Sequence, residues 1–97
     1  MTIIERNKLI ENHIPLARKI AFQFKKKLPL CFDIDELVSV AYIGLIDAAI
    51  RFNETKSNSF GTYARFRILG EIRDYIRKIY NFNKSHFDID ALFLMSY

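Results

Sequence analysis

Apolar residues recur at helical spacing in three stretches of the chain. In the first, Ile3, Ile4, Leu9, Ile10 and Ile14 mark one face of a helix over residues 3–14. Pro15 interrupts the pattern; it can open a new helical stretch in its first turn or mark a kink. Leu16, Ala17, Ile20, Ala21 and Phe24 then resume the period. Lys25, Lys26 and Lys27 suit the negative end of a helix dipole, and Pro29 closes the segment. A second helix starts near Asp33, which stands at capping-box spacing from Glu36. Leu37, Val38, Ala41, Leu45, Ala48, Ala49 and Phe52 follow at steps of three and four. They cover more than one stripe, which predicts a central helix. Gly44 within it costs up to about 1 kcal/mol relative to Ala, so its place there implies a close neighbour.

Residues 53–58 are polar and turn-forming. Ser59 can cap a third helix whose inward stripe is Phe60, Ala64, Ile68, Ile72, Ile76 and Ile79. The helix is expected to end in a loop over residues 81–86. Asp88 or Asp90 then caps a last short turn running from Ala91 to Met95. The expected fold is all-α: a compact bundle of three main helices, the first kinked at Pro15, with a short apolar C-terminal tail. Residues 1–80 form one helical domain and residues 81–97 a tail outside it.

Composition narrows the function classes. A chain of 97 residues forms one modest core and leaves little room for an enclosed catalytic cavity. Cys31 is the single cysteine, which excludes an internal disulfide framework and a multi-cysteine zinc site and fits a reducing compartment. No apolar run approaches the roughly 18 residues of a membrane span. Glu5, Arg6, Asn7 and Lys8 break any signal-peptide core. The expectation is a soluble cytoplasmic protein. Its net charge of +4 is segmented: +5 over residues 1–27, −3 over 28–60, +4 over 61–84 and −2 over 85–97. Two basic segments flank an acidic one, so one anionic partner does not account for the whole surface.

No catalytic or metal constellation converges. His13 and His86 lie in different segments without ligand spacing. Asp33, Asp35 and Glu36 lack the further oxygen ligands and the turn glycine of a calcium loop, and read as helix N-terminal acids. No cofactor, metal or enzymatic activity is expected. The third helix differs. Tyr63 and Phe66 share a face, with Phe60 one turn earlier, and Arg65, Arg67, Arg73 and Arg77 surround them. Rings interleaved with guanidinium groups suit single-stranded nucleic acid: bases stack on rings and arginines meet phosphates. Phe60 lies on the inward stripe and reads mostly as core. For Tyr63 and Phe66, core and stacking roles are both open from the pattern alone.

Three blocks in order, NHIPLARKIAFQF at 12–24, DIDELVSVAYIGLIDAAIRFN at 33–53 and SFGTYARFRILGEIRDYIRK at 59–78, resemble region 2 of bacterial sigma factors of the sigma-70 family. YIGLIDAAIRF and SFGTYA carry most of the likeness. ILGEIRDYIR is similar to the alternative types used in sporulation, general stress and flagellar synthesis. The resemblance spans roughly residues 3–80. It implies a transcription initiation module that acts in the cytoplasm, at the nucleoid. Its second helix would bind the clamp helices of the polymerase β-type subunit through Asp35, Glu36, Leu37, Ser39, Ile43, Leu45 and Ile46. Its third helix would recognise the −10 promoter element and hold the open non-template strand, with Phe60, Tyr63 and Phe66 as the melting surface. Arg65 and Arg67 would flank those rings, and Arg73, Arg77 and Lys78 would hold phosphates.

The resemblance also has edges. Arg67 follows Phe66 where some principal sigma factors carry a second aromatic. Val40 and Ala41 stand where an acidic or polar residue followed by Gly is common. After Lys78 the likeness stops, and region 4, which reads the −35 element, has no counterpart. An anti-sigma factor, or a partner supplying −35 recognition, is a further expected partner. The alternative reading is a polymerase-clamp or protein-interaction module without DNA-binding activity.

Overall fold

A computed structural model describes residues 1–29, 32–53 and 59–83 of the chain. They form three α-helices: α1 (Ile3–Lys27), α2 (Ile34–Arg51) and α3 (Phe60–Asn83). The turn expected at 53–58 lies outside the described residues from residue 54 on, as do Cys31, His86 and the short turn at 91–95. Of the tail read at 81–97, the first three residues continue α3 and the remainder lies outside the description.

Each helix starts for a local reason. The Thr2 hydroxyl accepts from the Glu5 N–H at 3.1 Å and donates to the Glu5 carboxylate at 3.1 Å. This satisfies one of the amides that the first turn leaves without a partner. Ser59 does the same for α3, accepting from the Thr62 N–H at 3.2 Å. Asp33 occupies the N-cap position of α2 but makes no side-chain cap bond. The expected cap bond from Asp33 does not form, and the Glu36 carboxylate accepts the Tyr75 hydroxyl from α3. Asp35 and Glu36 still sit in the first turn, where carboxylates complement the dipole.

Pro15 lies inside α1 without ending it. Lacking an N–H, it leaves the Glu11 carbonyl without its helical donor. Pro15 and Glu11 are both exposed, so water can take that place. The alternative in which Pro15 opens a separate helical stretch is thereby replaced by one helix of 25 residues.

As its all-round apolar pattern predicts, α2 packs against both other helices, while α1 and α3 touch each other less. The core joins Ala17, Ile20, Ala21 and Phe24 of α1 to Leu37, Ala41, Leu45 and Ala48 of α2 and to Ala64, Ile68, Leu69, Ile72 and Ile76 of α3. Phe32, in the α1–α2 connection, is also fully buried. The Lys25 ammonium donates to its carbonyl, so the connection is tied back to the end of α1.

Gly44 is the point of closest approach. A Cβ built on it would lie 2.7 Å from the Ile68 Cα and 3.1 Å from the Arg67 carbonyl oxygen. Those are backbone atoms, which cannot swing aside as a side chain can. Gly44→Ala improves helix propensity by about 1 kcal/mol, but it drives α2 and α3 apart, and overpacking of this kind costs about 1–3 kcal/mol. A lower thermal midpoint than wild type is expected, by calorimetry or circular dichroism. A midpoint equal to or above wild type would show that the helices do not meet there.

Candidate nucleic-acid and partner interface

Between its two packed flanks α2 leaves one stripe to solvent. Ile43, Ile46 and Ile50 lie on it, 56%, 45% and 58% exposed, at the i, i+3, i+7 spacing of a single face. Ser39, one turn before Ile43, is exposed and donates to the Asp35 carbonyl at 3.0 Å. Asp35 and Glu36 extend the stripe to the helix N-terminus. Toward α1 the stripe opens into an apolar groove of about 170 Å³, lined by Ile10, Ile14, Tyr42, Leu45 and Ile46. At its edge Arg18 lies over the Phe22 ring, 5.6 Å from its centroid, and donates to the Tyr42 hydroxyl at 3.3 Å. Three large aliphatic side chains in line on a monomer surface suit a protein partner.

Two residues expected on this surface add no exposed area to it, Leu45 contributing only to the floor of the groove. Leu37 and Leu45 are fully buried. They face the other helices, and truncating them would open the core rather than remove a contact. Ile50 was missed by the sequence reading, although it stands four residues after Ile46 and seven after Ile43, which places it on their face.

The structure sorts the aromatic residues of α3 by depth. Phe60 is a core residue, 7% exposed. Its ring meets His13 edge-on at 4.8 Å and Phe52 at 5.2 Å. These contacts give it a core environment, in keeping with its place on the inward stripe. Tyr63 is half-buried, its ring tilted against Phe52 at 6.0 Å. Phe66 is 57% exposed.

The basic residues are sorted too. Phe66, Gly70, Arg73 and Arg77 follow at i, i+4, i+7, i+11, so one outward stripe carries an exposed ring and two guanidinium groups. Gly70 leaves an open step between the ring and Arg73, whose guanidinium comes within 3.9 Å of where a Gly70 Cβ would be. The Arg73 Nε has no hydrogen-bond partner and stands 3.9 Å from the Asp74 carboxylate. Arg65 is half-buried and stands about 200° around the helix from Arg67. The two arginines therefore lie on opposite sides of Phe66, about 100° from it in either direction. Lys78 is exposed, one residue beyond the stripe.

Arg67 reaches across to α2. Its Nε and one terminal nitrogen donate to the Asp47 carboxylate at 2.9 and 2.5 Å. The other Asp47 oxygen accepts from the Arg51 Nε at 2.8 Å. Burial pushes the Asp47 carboxyl up, but hydrogen bonds from both arginines and their charges outweigh this and hold it below the usual carboxylate range. Neither Asp47 nor Arg51 is among the residues expected at either surface. Their i, i+4 spacing predicts their own contact, but nothing in the pattern predicts Arg67, twenty residues away.

His13 is structural: its Nδ1 lies 2.7 Å from the Leu9 carbonyl oxygen and its ring packs on Phe60. Among the described residues no group of three or more His, Cys, Asp or Glu side chains could hold a metal ion, and no helix is long and apolar enough to cross a membrane.

The sequence profile of the Sigma-70 region 2 family matches residues 9–81, three quarters of the chain. The chain belongs to the sigma-70 family. Its region 2 match takes in α1 from Leu9 onward and the whole of α2, and runs along α3 to Asn81. Similar proteins include the RNA polymerase sigma factor FliA of Pseudomonas aeruginosa, 36% identical over 73 residues. Its Escherichia coli namesake is 31% identical over 75 residues. The RNA polymerase sigma factor SigF of Mycobacterium tuberculosis is 35% identical over 72 residues. These alignments cover 75%, 77% and 74% of this chain but only 30%, 31% and 26% of those proteins. This sigma-70 region 2 chain thus matches a third or less of each relative.

Because Asp47 is ionised more readily in the folded chain than in the unfolded one, its contribution to stability is present above about pH 4, the unfolded carboxylate value. It is lost as pH falls through the lower folded value. Asp47→Asn is therefore expected to lower the urea midpoint relative to wild type at pH 6, with the gap shrinking on acidification below about pH 4. A gap independent of pH would mean that the charge of Asp47 is not what holds Arg51 and Arg67.

Proposed function

We propose that this chain is a transcription initiation module that binds core RNA polymerase through α2 and the −10 promoter element through α3, stabilising the open non-template strand. What carries the reading is the outward stripe of α3, where exposed Phe66 stands in line with Arg73 and Arg77. The ring offers a stacking surface and the guanidinium groups meet the backbone that runs past it. Unstacking and unpairing a base costs a few kcal/mol. Stacking and phosphate neutralisation offset that cost only when the base is out of the duplex, so the chain shifts the equilibrium toward the open strand. Tyr63 flanks the stripe as a second, more buried ring, and Lys78 extends its charge.

The polymerase side rests on Ile43, Ile46 and Ile50 with Ser39, Asp35 and Glu36. An apolar stripe ending in two carboxylates fits a helical partner with apolar and basic positions, such as the clamp helices of the β-type subunit. The relatives' names, RNA polymerase sigma factor, support the polymerase half.

The DNA half is tested by fluorescence anisotropy with a single-stranded −10 oligonucleotide, with and without core polymerase. Phe66→Ala is expected to weaken binding roughly tenfold or more, since one stacked base is worth about 1–3 kcal/mol. Binding of wild type should fall steeply with salt. Phe60→Ala would instead lower stability. No DNA binding by wild type in either condition overturns this half; clamp binding without it leaves the protein-interaction reading.

The polymerase half is tested by a pull-down with the β-type clamp fragment. Ile43→Ala/Ile46→Ala should lose the fragment while keeping the wild-type circular dichroism. Retention by the double variant, or none by wild type, contradicts it.

A further inference from the structure

Asp47 is an acid beside the surface that would meet DNA, and its negative charge should repel phosphate. Its geometry says otherwise. Each carboxylate oxygen serves one arginine, Oδ1 taking the Arg51 Nε at 2.8 Å and Oδ2 taking Arg67. Arg51 stands four residues beyond Asp47 on α2, while Arg67 comes from α3, so a single carboxylate brings guanidinium groups of two helices together. Asp47 engages one nitrogen of Arg51 and two of Arg67, which leaves the other terminal nitrogens of both uncommitted to it. The side chains remain 64% and 38% exposed. Tyr63 is one turn before Arg67 on the same face, and its ring packs on Phe52, the residue after Arg51. The pair therefore sits at the edge of the aromatic surface, on the α2 side of the stripe that carries Phe66.

We propose that Asp47 is a positioning residue of the nucleic-acid face, holding Arg51 and Arg67 beside Tyr63 as a preformed seat for a backbone phosphate. This rests on the DNA-binding reading above, and it adds Arg51 to the residues that meet the backbone. An arginine already ordered gives up less freedom when a phosphate arrives. The planar guanidinium can donate to the carboxylate along one edge and to phosphate along another. Removing the acid thus takes away order as well as negative charge, and the two effects have opposite signs on DNA binding.

The test uses the whole 97-residue chain and a dye-labelled single-stranded oligonucleotide, with core polymerase present, titrated at several salt concentrations. Asp47→Asn, checked as folded by circular dichroism, is expected to bind roughly threefold to tenfold more weakly than wild type. The slope of log affinity against log salt should become shallower by roughly 0.7 for each phosphate that is no longer neutralised. Arg51→Ala and Arg67→Ala should each show the same two changes. Adding Asp47→Asn to Arg67→Ala should have less effect than Asp47→Asn alone, because Asp47 acts through the arginines. A loss of stability alone, in a chain still folded, would leave the salt slope unmoved and would overturn the positioning role. Equal or tighter binding by Asp47→Asn, with an equal or steeper slope, also overturns the proposal and marks the carboxylate as a mere neutraliser. Failure of wild type to bind DNA at all would instead overturn the DNA-binding reading beneath it.

Discussion

The α2–α3 contact at Gly44 decides which side chains the rest of the molecule can show. With no side chain at Gly44, the backbone of α3 at Ile68 comes into direct contact with α2. Leu37, Ala41, Leu45, Ala48 and Ala49 complete the buried surface of α2, the three alanines allowing close packing on both flanks. Once α1 and α3 are seated, only a narrow strip of α2 is left, and the isoleucines on it have nowhere in the core to go. The same approach sets the rotation of α3. Ile68 must face Gly44, so Ala64, Ile72 and Ile76 face inward with it, and Phe66, Arg73 and Arg77 are turned out.

The two candidate surfaces thus follow from one packing decision. They meet at Asp47, which stands on the α3 flank of α2 and ties the two helices by charge just where Gly44 ties them by shape. Tyr75 and Glu36 make a second polar tie at the other end of α2. Both of these α2–α3 ties lie at the edge of the core, where water still reaches, and the buried core contains no polar or charged residue among those described. Apolar contact holds the bundle and the polar ties set its surface.

Much of this was legible in the residues. The three helices follow from period, caps and breakers, and Gly44 announces a close approach because a central glycine is otherwise a cost. Ser59 reads correctly as a cap; Thr2, with Glu5 three residues on, carried the same signal and was passed over. Depth within a face was not legible. Phe60 and Phe66 are the same residue type on one helix, yet one is core and the other surface. That difference depends on where His13 and Phe52 lie in space. Leu37 and Leu45 were placed on the partner surface by family likeness, although their apolar period already fitted the core. Asp47 and Arg67 come from segments without a shared pattern, and only the folded chain brings them together. Position on a helix can be counted from sequence; distance between helices cannot.

The central claim is that the Phe66 stripe holds bases that have left the duplex. A fluorescent adenine analogue in the non-template strand of a duplex −10 element, bound by the chain with core polymerase, reports that event directly. The account predicts a rise in fluorescence with the wild-type chain, as the analogue loses its stacked neighbours in the duplex, and little or no rise with Phe66→Ala at saturating protein. A full rise with Phe66→Ala, or none with wild type on DNA that is demonstrably bound, would contradict it.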